Sequence, residues 1–177
     1  MRVDSDLLAN GLGRPRQEAR YHQLKLVAVP VAALVFQVYV PLVIVYLGYL
    51  ELPLLVVLYY ALTRRRQLAS LFYGAAVGLL QDALSHNPVG MFGIAKTLTG
   101  YFAAAASFRF DVDNPVVRFL LSFFFYFFHQ FLYWVLTQAL LAQPASFSLQ
   151  QALMLGLLNG AVAVPLFHVL AKLLGRG

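Results

Sequence analysis

Long apolar runs separated by short polar segments extend from residue 24 almost to the end of the chain. An α-helix rises about 1.5 Å per residue, so about 20 apolar residues cross the hydrocarbon core of a bilayer. The pattern predicts an all-α membrane domain over residues 24–174, a bundle of about six transmembrane helices, after a polar segment at residues 1–23. The predicted spans cover about residues 24–47, 51–63, 67–84, 90–108, 115–142 and 149–174.

Two features of the apolar runs depart from simple spans. A helix from Pro53 to Thr63 would extend only about 17 Å. We expect this second run either to gain length from the snorkelling side chains of residues 64–66 or to form a half-helix sheltered by its neighbours. Because proline has no backbone N–H to donate, we also expect a kink at Pro41 in the first run.

The composition excludes a water-soluble globular protein. Hydrophobic residues make up 61% of the chain and charged residues only 11%, whereas about 25% charged is usual in soluble domains. The net charge of +6 comes from clusters between the apolar runs, which favours anionic lipid over nucleic acid as the counter-charge. The chain has no cysteine, so disulfides and thiolate metal sites are excluded.

The distribution of cations predicts the orientation of the chain. With six spans, every lysine and arginine except Lys96 lies on one side of the membrane. The positive-inside rule makes that side cytoplasmic, together with both termini. We interpret the first apolar run as an uncleaved span, because it is too long for a signal peptide and lacks a small-residue cleavage site.

Asp82 and Lys96 are charged residues within the third and fourth predicted spans. Side chains lean toward the N-terminus of their own helix, so on antiparallel helices these two would lean toward each other. A lone charge inside a membrane costs at least a few kcal/mol, which makes a mutual ion pair the leading hypothesis. The alternatives are that Asp82 is solvated while Lys96 snorkels, or that the two residues translocate protons or ions.

Small residues recur at helical spacing on three of the predicted spans. Such faces allow close helix packing in membranes, either within the chain or against a partner protein. The glycines of these candidate interfaces are Gly74 and Gly78 on the third span, Gly93 and Gly100 on the fourth, and Gly156 and Gly160 on the sixth.

A polar band follows one face of the phenylalanine-rich fifth span, where Tyr126, His129 and Tyr133 recur at helical spacing. We interpret His129 as a hydrogen-bonded structural histidine, since a catalytic or metal-binding role would need partners nearby. The chain has no phosphate-binding Walker loop, no HExxH motif and no GxSxG motif. No enzymatic activity, metal or cofactor is therefore expected.

Two sequence segments are distinctive, YYALTRRR at residues 59–66 and YGAAVGLLQDALSHNPVGMFGIAKTLTGY at residues 73–101. Both resemble the MreD family of rod shape-determining membrane proteins. The order of elements also agrees with that family, from the short second helix after a proline to the Gly100–Tyr101 pair.

The resemblance implies a non-enzymatic scaffold of the cell-elongation complex in the bacterial inner membrane, which maintains rod cell shape. It implies binding to MreC and association with the MreB filament, the RodA glycosyltransferase and its class B penicillin-binding transpeptidase, and hence a role in peptidoglycan synthesis. It also implies a fold like that of the substrate-binding subunits of energy-coupling-factor transporters. The alternative function is accordingly that of a membrane subunit that binds a vitamin, which would keep a partly polar, ligand-sized cavity.

Overall fold

The computed structural model describes residues 23–85, 88–141 and 147–174, and every regular element in these ranges is helical. The predicted all-helical class is confirmed for this part of the chain, whereas the polar segment at residues 1–23 lies outside it except for Gln23. Helix α1 covers residues 23–39, and two short 3-10 helices follow at Val40–Leu42 and Val45–Tyr49. The remaining helices are α2 (Leu52–Arg64), α3 (Gln67–Leu84), α4 (Met91–Ala106), α5 (Pro115–Leu141) and α6 (Leu149–Leu174).

The first apolar run does not continue as one kinked helix to residue 47. It leaves the α-helical conformation at Val40, where Pro41 occupies the start of a 3-10 helix and cannot supply an α-helical hydrogen bond. The chain then approaches itself, because a Cβ on Gly48 would lie 3.3 Å from Cβ of Pro41. The side chain of Gln37 ties this segment to α1 by donating to the carbonyl of Gly48 and accepting from the N–H of Leu52.

Helix α2 forms the centre of the bundle. Its side chains are buried without interruption from Pro53 to Tyr59, and it contacts α3, α4, α5 and α6. A helix that is apolar on all sides is stable only when it is surrounded, which explains why this short run contains almost no polar residue. The helix ends at Arg65, which adopts a left-handed backbone conformation with φ of 52°. Neighbouring helices therefore shelter this short run, while its extent across a membrane stays a prediction.

Helices α3 and α4 form a tight antiparallel hairpin through their glycines. A Cβ added to Gly74 or to Gly78 would collide with the backbone carbonyl of Lys96 or Phe92, respectively. Across the same contact, a Cβ on Gly100 would lie 2.7 Å from the carbonyl oxygen of Ser70. These glycines therefore serve packing within the chain.

Helices α5 and α6 also meet at glycines, but here the opposing groups are aromatic rings. A Cβ on Gly156 would lie 3.1 Å from the ring of Phe123, and one on Gly160 would lie 3.2 Å from the ring of Phe119. Thus the glycine face of the sixth span also lies in an intramolecular contact.

Four stretches are apolar and long enough to cross a membrane, judged by length and composition within the described residues. They are Gln23–Leu42, Val45–Arg64, Pro115–Leu140 and Leu149–Leu174. The hairpin helices α3 and α4 contain 18 and 16 residues, which correspond to about 27 and about 24 Å. The count of six spans accordingly stays a prediction.

The backbone contact at Gly78 generates a stability prediction. Gly78→Ala should lower the free energy of unfolding by about 1–3 kcal/mol, because the new methyl group meets a rigid carbonyl and forces α3 away from α4. Gly93→Ala is the matched control, since its methyl group would meet the flexible end of the Leu79 side chain at 2.9 Å. Denaturant titration of both variants in mixed micelles tests this, and equal destabilisation would contradict it.

Candidate functional site: the polar centre of the bundle

Lys96 is fully buried on α4, and three side chains surround its ammonium group. Its Nζ lies 3.6 Å from Oε2 of Glu51, 3.4 Å from Nε2 of His129 and 4.4 Å from the centre of the Phe92 ring. The carboxylate supplies the opposite charge, the imidazole a lone pair and the ring a negative face. We call Glu51, Lys96 and His129 the buried triad.

The position of Glu51 is fixed by other helices. Asn159 on α6 accepts a hydrogen bond from the N–H of Glu51 at 2.8 Å and donates to the carbonyl of Tyr49 at 3.0 Å. From α1, Gln37 accepts from the N–H of Leu52. The backbone before α2 is thus held by two amide side chains, which direct the carboxylate toward α4. The Glu51 side chain is 15% exposed, so it connects the triad to the surface of the bundle.

Asp82 performs a different task from the one predicted. Its carboxylate accepts three backbone hydrogen bonds at the start of α4, from the N–H groups of Gly90 (2.8 Å), Phe92 (3.0 Å) and Gly93 (3.0 Å). The first N–H groups of a helix lack partners within the helix and lie at the positive end of its dipole. Asp82, which is 1% exposed, therefore caps α4 across the turn.

The ionic partner that the sequence predicted for Lys96, namely Asp82, is wrong. Within the described part of the chain, Lys96 forms its ion pair with Glu51, while the oxygens of Asp82 are occupied by backbone N–H groups. The alternative of a solvated aspartate and a snorkelling lysine does not apply either, because both side chains are buried.

The side chain of His129, on α5, contacts α4. Its ring is buried and is parallel to that of Phe92, with centroids 5.9 Å apart. Because an ammonium group can only donate, the contact with Lys96 uses the Nε2 lone pair and leaves the ring proton on Nδ1. Nδ1 has no hydrogen-bond partner among the described residues. The geometry agrees with a hydrogen-bonded histidine, and no metal-binding group of three or more ligands was found in the described ranges.

The two tyrosines of the predicted polar band differ in their surroundings. Tyr126 is 1% exposed and accepts a hydrogen bond from the side-chain amide of Gln130 at 2.8 Å. Tyr133 is half-buried, and its ring stacks on Phe92 at 4.8 Å. Phe92 thus contacts Tyr133, His129 and Lys96, so these four side chains form one cluster.

Sequence reasoning missed Glu51 because it lies at the edge of an apolar run. A signal was present in the sequence: between Glu18 and Asp111, the chain has only two acidic residues, Glu51 and Asp82. Any ion pair for a lysine inside the membrane had to come from one of them. Asp82 is close in sequence to the turn before α4 and can cap that helix, so Glu51 remains as the ionic partner of Lys96.

Breaking the triad should destabilise the protein strongly. Lys96→Met or Glu51→Gln leaves the other charge buried without its partner, at an expected cost of about 3–5 kcal/mol. The double variant should lose at least about 1 kcal/mol less than the sum of the single losses, because both charges are then gone. Unfolding free energies of the three variants in mixed micelles measure this coupling.

The ion pair between Arg118 and Asp113 provides the control for that cycle, since the Asp113 side chain is 72% exposed. Asp113→Asn should change stability by no more than about 1 kcal/mol. Additive losses in the Glu51 and Lys96 double variant would show that the triad is not coupled.

Removal of the Asp82 cap should loosen the start of α4. In Asp82→Ala, the amide protons of Gly90, Phe92 and Gly93 should exchange with solvent at least about tenfold faster, because each loses its acceptor. Hydrogen exchange followed by mass spectrometry measures this. The amide of Val116, which Asn114 caps at the start of α5, should be unchanged. Unaltered exchange at all four amides would contradict the capping role.

The chain was compared with known protein families, curated proteins and solved structures. A family model described as rod shape-determining protein MreD matches residues 20–176, which is nearly the full chain. No curated protein and no solved structure matches.

Proposed function

Because the chain belongs to the MreD family, as the match over residues 20–176 shows, we propose that it is a non-enzymatic scaffold of the cell-elongation complex. The family role is rod shape determination, and its members are not a known enzyme family. In this proposal the chain binds MreC and associates with the MreB filament, the RodA glycosyltransferase and its class B penicillin-binding transpeptidase. It thereby helps to organise or activate peptidoglycan synthesis.

The packing of the helices supports a structural role. Glycines bring α3 against α4 and α5 against α6, and α2 fills the space between these pairs. Lys96 is engaged by Glu51 and His129, and Asp82 by the start of α4. These three charged groups thus hold helices together, as expected of a rigid body that presents its outer surface to partners.

We place the chain in the bacterial inner membrane as a multi-pass protein with both termini in the cytoplasm. The support is the distribution of cations, since every lysine and arginine except Lys96 falls on one side of the six-span arrangement. In this orientation, Glu51 and the turn between α3 and α4 lie at the outer face. The basic inner loops would then meet anionic lipid or cytoskeletal protein.

The partner surface is proposed to lie on α1, because the glycine faces that the sequence suggested are occupied within the chain. Only 17% of the Gln23–Leu42 window is buried, less than for the other three candidate spans. One stripe of apolar side chains along this helix is exposed, with Val27 at 64%, Val31 at 43% and Val35 at 47%. An apolar stripe at helical spacing suits van der Waals packing against a single membrane-spanning helix.

The alternative of a vitamin-binding subunit has weaker support. Small-molecule sites usually enclose about 300–1,000 Å³ and bury most of the ligand. The polar centre of the bundle is filled by its own side chains. The cleft with polar walls between α5 and α6 is bordered by exposed residues, among them Ser148 and Gln151, so it does not enclose a ligand. A bundle of this kind matches a scaffold better than a receptor that encloses its ligand.

A pull-down from mildly solubilised native membranes tests the scaffold proposal. The chain should recover a single-span MreC-like protein and peptidoglycan synthases, identified by mass spectrometry. Val31→Ala combined with Val35→Ala should lower this recovery about tenfold, equivalent to about 1.4 kcal/mol of lost packing. The matched control is Leu153→Ala with Leu157→Ala on α6, which have the same spacing and similar exposure, at 40% and 52%.

Two outcomes would overturn parts of this proposal. Recovery of ATPase subunits or of a bound vitamin would establish the transporter alternative. Equal loss of partners in the α1 and α6 variants would reject α1 as the specific partner surface.

A further inference from the structure

A cleft opens between the C-terminal part of α5 and the first turns of α6, with a volume of about 260 Å³. Three aromatic rings form part of its wall, those of Tyr133, Trp134 and Phe147, and the last two lie with centroids 5.7 Å apart. Aromatic side chains offer large apolar faces at low entropic cost. This part of the cleft suits a ligand with an apolar face.

The other walls of the cleft carry hydrogen-bonding groups without charge. Gln130 and Gln151 contribute amides, and Thr137 and Ser148 contribute hydroxyl groups. The Gln130 amide nitrogen donates a hydrogen bond to the Tyr126 hydroxyl group at 2.8 Å. None of the described residues that line the cleft is aspartate, glutamate, lysine or arginine. A charged ligand would therefore lose its hydration without gaining an ionic partner.

A second cavity of about 380 Å³ adjoins the cleft and shares Ser148, Gln151 and Leu155 with it. Tyr49 and Gln150 add a further ring and a further amide, again without charge. Gln151 therefore stands between two cavities, each with a ring and an amide. The pair forms a groove, which suits a ligand made of linked ring units better than a single compact molecule.

We propose that this groove binds an uncharged carbohydrate chain, with one sugar ring in each cavity. A pyranose ring presents a face of C–H groups and an edge of hydroxyl groups, which match the aromatic wall and the amides, respectively. Uncharged sugars need no cation or carboxylate, in agreement with the residues that line both cavities. The placement of this groove on the outer face of the membrane rests on the topology proposed above.

The single tryptophan of the chain makes this proposal directly measurable, since Trp134 lines the cleft. The full chain in lipid nanodiscs is titrated with N,N′,N″-triacetylchitotriose while tryptophan emission is recorded. A saturable shift of the emission is expected. Gln151→Ala should raise the Kd at least about fivefold, equivalent to about 1 kcal/mol. The control is Gln23→Ala, which removes an exposed amide at the start of α1 and should leave the Kd unchanged.

Each other outcome overturns the proposal. The absence of a saturable shift, in protein whose thermal unfolding is normal, excludes the sugar. An equal shift with glycerol at the same concentration shows a solvent effect, and calorimetric binding of riboflavin that Gln151→Ala weakens assigns the groove to a heterocycle. Partner recovery in the pull-down does not depend on this groove, so failure of the sugar titration is distinguishable from failure of the scaffold.

Discussion

The buried ammonium group of Lys96 is the constraint on which the rest of this bundle depends. Its side chain is fully buried, so the charge is stable only while Glu51 and His129 stay in place. Glu51 belongs to the start of α2, Lys96 to α4 and His129 to α5. One cation therefore fixes the relative positions of three helices that are far apart in sequence, and Asn159 extends this connection to α6.

The glycine contacts work in the opposite way, through the absence of side chains. Lipid tails are as apolar as leucine, so helices in a membrane gain little from apolar burial alone and depend on close packing and polar contacts. Gly74 and Gly78 allow backbone to meet backbone between α3 and α4. Asp82 caps α4 within the same hairpin. The capped turn and the close packing of α3 on α4 therefore stabilise each other.

Periodicity and composition predicted the helices and the membrane class, and the resemblance of residues 59–66 and 73–101 predicted the family. Each of these predictions depends on patterns within one segment. The glycine faces and the burial of His129 also followed from helical spacing. The pairing of Glu51 with Lys96 did not, since it depends on how α2 rotates against α4, and periodicity gives no relative rotation. The cap by Asp82 was missed because backbone N–H groups compete with charged side chains for a carboxylate. At Pro41 a kink was expected, but the missing N–H ends the α-helix there instead.

The position of Glu51 has a consequence for synthesis of the chain. Glu51 and the short helix α2 leave the ribosome before α4 and α5, which carry both of its partners in the triad. Until those helices enter the membrane, α2 has neither its ionic partner nor the neighbours that cover its apolar surface. The ionic contact that joins α2 to the bundle thus forms only after the hairpin and α5 have been inserted.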